Sequence, residues 1–345
     1  MATVNGTGDA NVNGLVSFDG LRQNQRQGLT EVAGKIYVGF SSHCDIAPYH
    51  GWVLGYDAVT LNQTSVYNDT PNGSDGGIWE SGMGMAADPS GNLYLVAGNG
   101  TVGSATDPND PTNRGESALK LTPRGQTLSV SSYFTPNNYA ALEANDLDYG
   151  SMGALIIPGT HYFLTGGKDG NMYLLDKDNM GGLQVTGNQV QQTVFFRGDS
   201  FHCQPAFYQG PTGGFFYVWS ENDYLRSIPY NNQTNLLLSG QQHLGTASRP
   251  TGQSGAVLSV SSNGSKSGSA ILWASYALSG DANQAIRPGV LRAFDATDVT
   301  HELWNNTLNA GDYAGNYAKF SSPTIANGHV YLPTFSNAVV VYGLK

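Results

Sequence analysis

Four loop segments carry residue types that can hold a hard cation and move a proton. They are Ser41-Ser-His43-Cys44-Asp45, Gly98-Asn99-Gly100, Asn145-Asp146-Leu-Asp148 and Gly167-Lys168-Asp169-Gly170. Carboxylate and amide oxygens are the ligands that ions such as Ca2+ prefer. A lysine beside them adds a fixed positive charge, and a carboxylate held near a hydroxyl can take its proton. The same residue types also build turns, because Asn and Asp cap their own backbone and Gly accepts positive φ. Spacing alone leaves both readings open.

Other signals point to different chemistry. Gly98-Asn-Gly100-Thr-Val-Gly103 spells G-x-G-x-x-G, but the next residues, Ser-Ala-Thr-Asp-Pro-Asn-Asp-Pro, cannot open the helix that a dinucleotide site needs. There is no zinc-protease motif, nucleophile elbow or paired C-x-x-C. His43, Cys44 and His50 share one loop, and His202-Cys203 opens a later strand. Imidazole and thiolate suit Zn or Cu, while a hydrogen-bonded histidine and buried thiols need no metal. Asp107, Asn109 and Asp110 read as a solvated acidic loop.

The elements that must position the four loops are visible as a repeat. The phrase glycine, any residue, apolar, tyrosine, apolar recurs at Gly34-Lys-Ile-Tyr37-Val, Gly91-Asn-Leu-Tyr94-Leu, Gly170-Asn-Met-Tyr173-Leu, Gly214-Phe-Phe-Tyr217-Val and Gly328-His-Val-Tyr331-Leu. A glycine turn leading into Tyr and β-branched residues is a hairpin signal. A short strand ending near an aromatic-Asp pair often follows, as in Val53-Leu-Gly-Tyr56-Asp57 and Leu291-Arg-Ala-Phe294-Asp295. Units of four short strands at this period predict a β-propeller. Six second strands are expected, near 36–40, 93–98, 161–166, 215–220, 270–275 and 329–334. The last unit stops after three strands, so Gly14-Leu-Val-Ser-Phe18 is expected to complete it beside Val339 to Tyr342 and close the ring. The expectation is one domain over residues 1–345, with long polar loops on the propeller faces.

Composition agrees. Of 345 residues, 45 are Gly and only 12% are charged, which excludes a helical bundle; 11% are aromatic, which excludes a disordered chain. The net charge of −10, with no basic cluster, argues against nucleic acid as a partner. No apolar run is long enough for a membrane span. The first residues lack a signal peptide. Eight Asn-x-Ser/Thr sequons nevertheless favour a secreted or periplasmic protein, trimmed or mature. In such a compartment Cys44 and Cys203 could pair, provided their Cα atoms lie within about 7 Å.

The four loops also resemble a known family. Gly34 to Asp45, followed by His50 to Asp57, resembles the blade that carries an acidic calcium ligand in the PQQ-dependent (quinoprotein) alcohol dehydrogenases. Tyr94-Leu-Val-Ala-Gly-Asn99-Gly resembles their Asn-containing turn. Tyr133-Phe-Thr-Pro136 with Asn145-Asp-Leu-Asp148 resembles the stretch ending in their catalytic base. Thr165-Gly-Gly-Lys168-Asp-Gly170 with Tyr173-Leu-Leu-Asp176 resembles their quinone-contacting strand. The rest of the chain is similar only to generic PQQ-binding-like propeller repeats. The resemblance implies Asp45, Asn99 and Asp148 as calcium ligands, Asp148 also as base, and Lys168 as the quinone contact. Trp79 is the nearest candidate for the flat cover over the quinone, and Met83 the next. The family has adjacent cysteines and eight blades, so this chain is either a six-bladed relative or a piece of a longer propeller.

Two functions follow as expectations. One is an alcohol or sugar dehydrogenase using PQQ and Ca2+, with Asp148 as base. The other is a non-catalytic propeller that binds a glycan, a protein or a surface partner through its loops.

Overall fold

The structure is a computed structural model that describes residues 2–196, 200–264 and 266–343. The chain divides into two compact units, Met1–Phe195 and Phe196–Lys345. The second unit holds three antiparallel sheets, and in the first a parallel pairing of Thr127 with Val66 joins two blades into one ten-stranded sheet beside a third.

In the first unit the blades are Thr30–Val32 with Lys35–Ser42, Trp52–Asp57 and Gln63–Asn68; Ala86–Ala87 with Leu93–Val96, Ala118–Arg124 and Thr127–Thr135; and Leu155–Ile156 with Tyr162–Gly166, Asn171–Asp176 and Gln192–Phe195. In the second unit they are Ala206–Gly210 with Gly213–Val218, Arg226–Asn231 and Leu236–Leu237; Val257–Ser261 with Ile271–Ala277, Gly289–Asp295 and Asp298–Asn305; and the three strands Thr324–Ala326, His329–Thr334 and Ala338–Gly343. Each expected second strand coincides with an observed one.

The repeated phrase now has a physical meaning. Its glycine closes a tight hairpin. Ala33 and Gly34 lie at φ 51° and 71°, and Asn327 and Gly328 at 51° and 76°. Positive φ at both turn residues gives a twist that matches the two paired strands. The tyrosine drives burial: Tyr37, Tyr94, Tyr173 and Tyr217 are all in blade cores, and Tyr331 is half-buried. Aromatic contacts consolidate each core, such as Phe134 against Tyr173 at 5.0 Å in the first unit and Trp219 against Tyr276 at 4.7 Å in the second. Helix is minor; the longest is Tyr139–Ala144, inside a stretch expected as loop. No helix among the described residues is long and apolar enough to cross a membrane.

The N-terminal strand differs from expectation. Leu15–Ser17 pairs with Thr3–Asn5, in the register Val4 to Val16, rather than with Val339 to Tyr342. Asn13 and Gly14, at φ 53° and 80°, close this hairpin. Closing a loop of about ten residues costs less entropy than one spanning the chain. The hairpin is held by burial of Ala2 and Val16 against Trp52 and Leu54, and by Phe18 on Phe40 at 4.7 Å. The last sheet has three strands among the described residues.

Candidate functional site

The second strands of the first unit end in the loops singled out above. Lys35–Ser42 leads to Asp45, Leu93–Val96 to Asn99, and Tyr162–Gly166 to Lys168. The first loop is braced by Gln23–Asn24, which pairs with Ser41 and Ser42. Asp148 precedes the third blade and is buried.

Three of the four residues touch. The Asn99 N–H donates to Asp148 Oδ1 at 2.8 Å. The Lys168 Nζ lies 2.5 Å from Asp148 Oδ2 and 2.9 Å from Asp146 Oδ1. It also donates to the Asp146 carbonyl at 3.0 Å, while the Lys168 backbone N–H donates to the Asp148 carbonyl at 3.1 Å. The Asn99 Nδ2 donates to Asp146 Oδ1 at 3.1 Å. Burial pulls the Lys168 ammonium down, but Asp148 and Asp146 outweigh it and its pKa rises.

Trp79 completes the group. A methyl on Gly98 would lie 2.4 Å from Asp148 Oδ1 and 2.8 Å from Trp79 Cδ1, so carboxylate and half-buried indole flank one glycine. The Arg26 guanidinium sits over the indole ring at 5.3 Å. Met83 is buried beside Gly153 and Glu80 and covers nothing at the site.

Asp45 is exposed, within electrostatic reach of the others. Loss of hydration raises its pKa first, then Asp148 and Asp146; water screens these pushes at so exposed a carboxyl. Glu143 accepts the Gly100 N–H at 2.5 Å and is raised by lost hydration and then by Asp75, Asp148 and Asp146. Below them, fully buried Glu116 accepts the Tyr149 N–H at 2.7 Å through Oε2 and leaves Oε1 without a partner. Burial, then Asp148, pushes it up to about 9. The Gly98-Asn-Gly100 amides thus serve the chain's own acceptors: Gly98 donates to Gly77, Asn99 to Asp148 and Gly100 to Glu143. Their protons are not free for a phosphate.

Glu116, Glu143 and Asp75 had no role in the sequence reading, and Asp146 only as part of its loop. Only folding reveals theirs, because the sequence around each is ordinary turn composition.

The soft-metal alternative fails at His50, which is buried with Nδ1 on Thr70 Oγ1 and Nε2 on the Asp9 carbonyl, both at 2.9 Å. Cys44 is exposed and Cys203 buried, and neither is part of a disulfide in the structure. In the second unit His202 Nδ1 lies 2.8 Å from Glu221 Oε1, a pair that sequence separation hid.

Of the residues expected to hold PQQ and calcium, Asn99 and Lys168 are bonded to Asp148 within the chain. Both Asp148 oxygens are engaged, one by the Asn99 amide and one by Lys168. Among the described residues no three His, Cys, Asp or Glu side chains are placed to hold a metal ion together.

No family model matches the chain, and no curated protein matches it in sequence. Solved structures match in fold alone. Quinohemoprotein alcohol dehydrogenase ADHIIG from Pseudomonas putida HK5 aligns with TM-score 0.51 and 13% identity, over 92% of this chain and 57% of that one. The WD40 domain of Toxoplasma gondii coronin aligns with TM-score 0.51 and 8% identity, over 90% and 67%. Dihydro-heme d1 dehydrogenase NirN, in complex with DHE, aligns with TM-score 0.52 and 12% identity, over 90% and 52%. The chain has the β-propeller fold, and it spans only about half to two thirds of these proteins' lengths.

Proposed function

We propose that the first unit binds a small hydroxyl-bearing molecule, an alcohol or a sugar, with Asp148 accepting the hydroxyl proton. One observation carries this reading: Asp148 and Trp79 flank the same glycine, and Lys168 holds the carboxylate from its far side. An indole offers a flat apolar surface to the C–H face of a sugar ring. An ionised carboxylate has about four acceptor positions, so after Asn99 and Lys168 take one each, two remain for ligand hydroxyls. Lys168 offsets the charge of Asp148 and fixes its orientation. Asp45, Asp75 and Glu143 keep the surroundings anionic, which selects against anionic ligands. Oxidation of the bound hydroxyl needs a hydride acceptor that no side chain provides, so it would require an external redox partner.

The test is titration of the protein, in EDTA, with a panel of sugars and short alcohols, followed by calorimetry and ligand-observed NMR. Saturable binding that weakens at least tenfold in Asp148→Asn, with the fold unchanged, supports the reading. Equal binding by the variant, or none by the wild type across the panel, sinks it. A bound quinone chromophore after addition of PQQ and Ca2+ would favour the dehydrogenase instead.

A second reading, docking of a protein partner, is favoured by the strand Ala338–Gly343. It pairs on one side only among the described residues, and Phe335, Val339 and Val341 are 61%, 61% and 49% exposed. An open apolar edge can accept an added strand.

A further inference from the structure

We infer that Lys168 is the resident cation of this site: its ammonium occupies the position a divalent ion would take, so the carboxylates bind such an ion only once Lys168 is removed. The inference concerns the same site as the hydroxyl reading but stands on the ion-pair geometry alone.

The ammonium already has three oxygen neighbours, Asp148 Oδ2 at 2.5 Å, Asp146 Oδ1 at 2.9 Å and the Asp146 carbonyl at 3.0 Å. Calcium asks for oxygens at about 2.3–2.6 Å, so the cradle matches a cation in chemistry and nearly in size. Lys168 cannot easily leave it. Its side chain is 15% exposed, and its own N–H is tied to the Asp148 carbonyl. A divalent ion would have to expel a paired, largely buried charge, or sit a few ångströms from it and be repelled.

Two acceptor oxygens of residues that contact or couple to Asp148 also lack a hydrogen-bond partner. Asn99 Oδ1 is buried with no hydrogen-bond partner, although both nitrogens of the same residue reach into the cluster. Glu116 Oε1 is also unpartnered in a residue with no exposed surface, and Asp148 is the charge that acts on it most strongly. Removing the Lys168 ammonium leaves two carboxylate oxygens and the Asp146 carbonyl around one vacated position, with water to complete the shell.

The experiment uses Tb3+ as a calcium probe, because lanthanide emission is sensitised by a nearby indole and Trp79 is adjacent. Wild type, Lys168→Met and the double variant Lys168→Met with Asp148→Asn are titrated, and each is melted in EDTA and in excess CaCl2. Only signal abolished by Asp148→Asn is assigned to the site. The expected result is no site signal and no calcium-dependent melting shift for the wild type. Lys168→Met binds at least tenfold more tightly and melts higher in calcium than in EDTA. Wild-type binding equal to that of Lys168→Met overturns the inference, as does a folded Lys168→Met that gains nothing. If Lys168→Met does not fold, Lys168→Gln takes its place, and site binding by the wild type still refutes the idea. Sugar binding in EDTA reports on the hydroxyl reading separately, so each can fail alone.

Discussion

Glu80 offers the most quantitative test of the packing beneath the site. It is fully buried; its Oε1 accepts the Val96 N–H at 2.8 Å and its Oε2 accepts Gln27 Nε2 at 2.6 Å. Burial drives its pKa from the ordinary 4.5 to about 8, and the Val96 bond offsets this only in part. Between those values the folded protein keeps a proton that the unfolded chain has released. Its stabilising contribution is therefore complete below the unfolded pKa and is lost as pH rises through the folded one. The slope for one group is about 1.4 kcal/mol per pH unit, or roughly 5 kcal/mol over the whole window. In Glu80→Gln the amide can still accept from Val96, and a flipped Gln27, whose Oε1 has no partner, can receive its N–H. Urea unfolding of both proteins, followed by tryptophan fluorescence from about pH 5 to about pH 8, reads the difference. Wild-type stability is expected to fall with pH, and the variant to fall less steeply by about 1.4 kcal/mol per pH unit. Glu116 adds a slope of the same sign to both proteins. Parallel pH profiles would show that Glu80 does not carry a buried proton.

Two other outcomes follow from contacts already described. Gly98→Ala places a methyl against Asp148 Oδ1 and Trp79 Cδ1; an overpacked position costs about 1–3 kcal/mol, so the variant is expected to melt lower and to lose ligand binding, and unchanged melting would contradict the tight approach. Cys44 is exposed and Cys203 buried; a thiol reagent is expected to label Cys44 in the native protein and Cys203 only after unfolding, and native labelling of both would contradict the burial.

Much of the fold was legible because the repeat is a local signal. Gly34, Gly91, Gly170 and Gly328 all lie at positive φ, and the tyrosine three residues later enters a blade core in all but the last of these units. The N-terminal strand was misplaced for the opposite reason. Its alternation suited either partner, and a nearby Asn13–Gly14 turn decided for the local one. At the site, Asp148, Asn99 and Lys168 could be named from the motifs that resemble the quinoprotein dehydrogenases, and each lies in a loop between the elements of the first unit. Glu116 could not, since its significance lies in burial against Tyr149 and Asp148, which no residue around it announces.

The backbone explains why the carboxylates stay together despite their repulsion. Asp45, Asp75, Glu116 and Asp146 lie at φ 52°, 61°, 46° and 53°, a region L-residues other than Gly, Asn and Asp rarely enter. For Glu116 this costs on the order of 1–3 kcal/mol, so the conformation persists only where its surroundings fix it. Here they do. The Asp45 N–H donates to Ser42 Oγ at 3.0 Å, the Asp75 N–H to the Tyr49 carbonyl at 3.0 Å and the Glu116 N–H to the Gly98 carbonyl at 2.8 Å. In the hairpins, positive φ closes turns between strands. At the site it falls on acidic residues, and glutamate, with no special tolerance for that region, is among them. A site whose acids are held by main-chain bonds and whose charge is balanced by Lys168 is ordered before any ligand arrives, which is the preorganisation that a weakly held hydroxyl ligand requires.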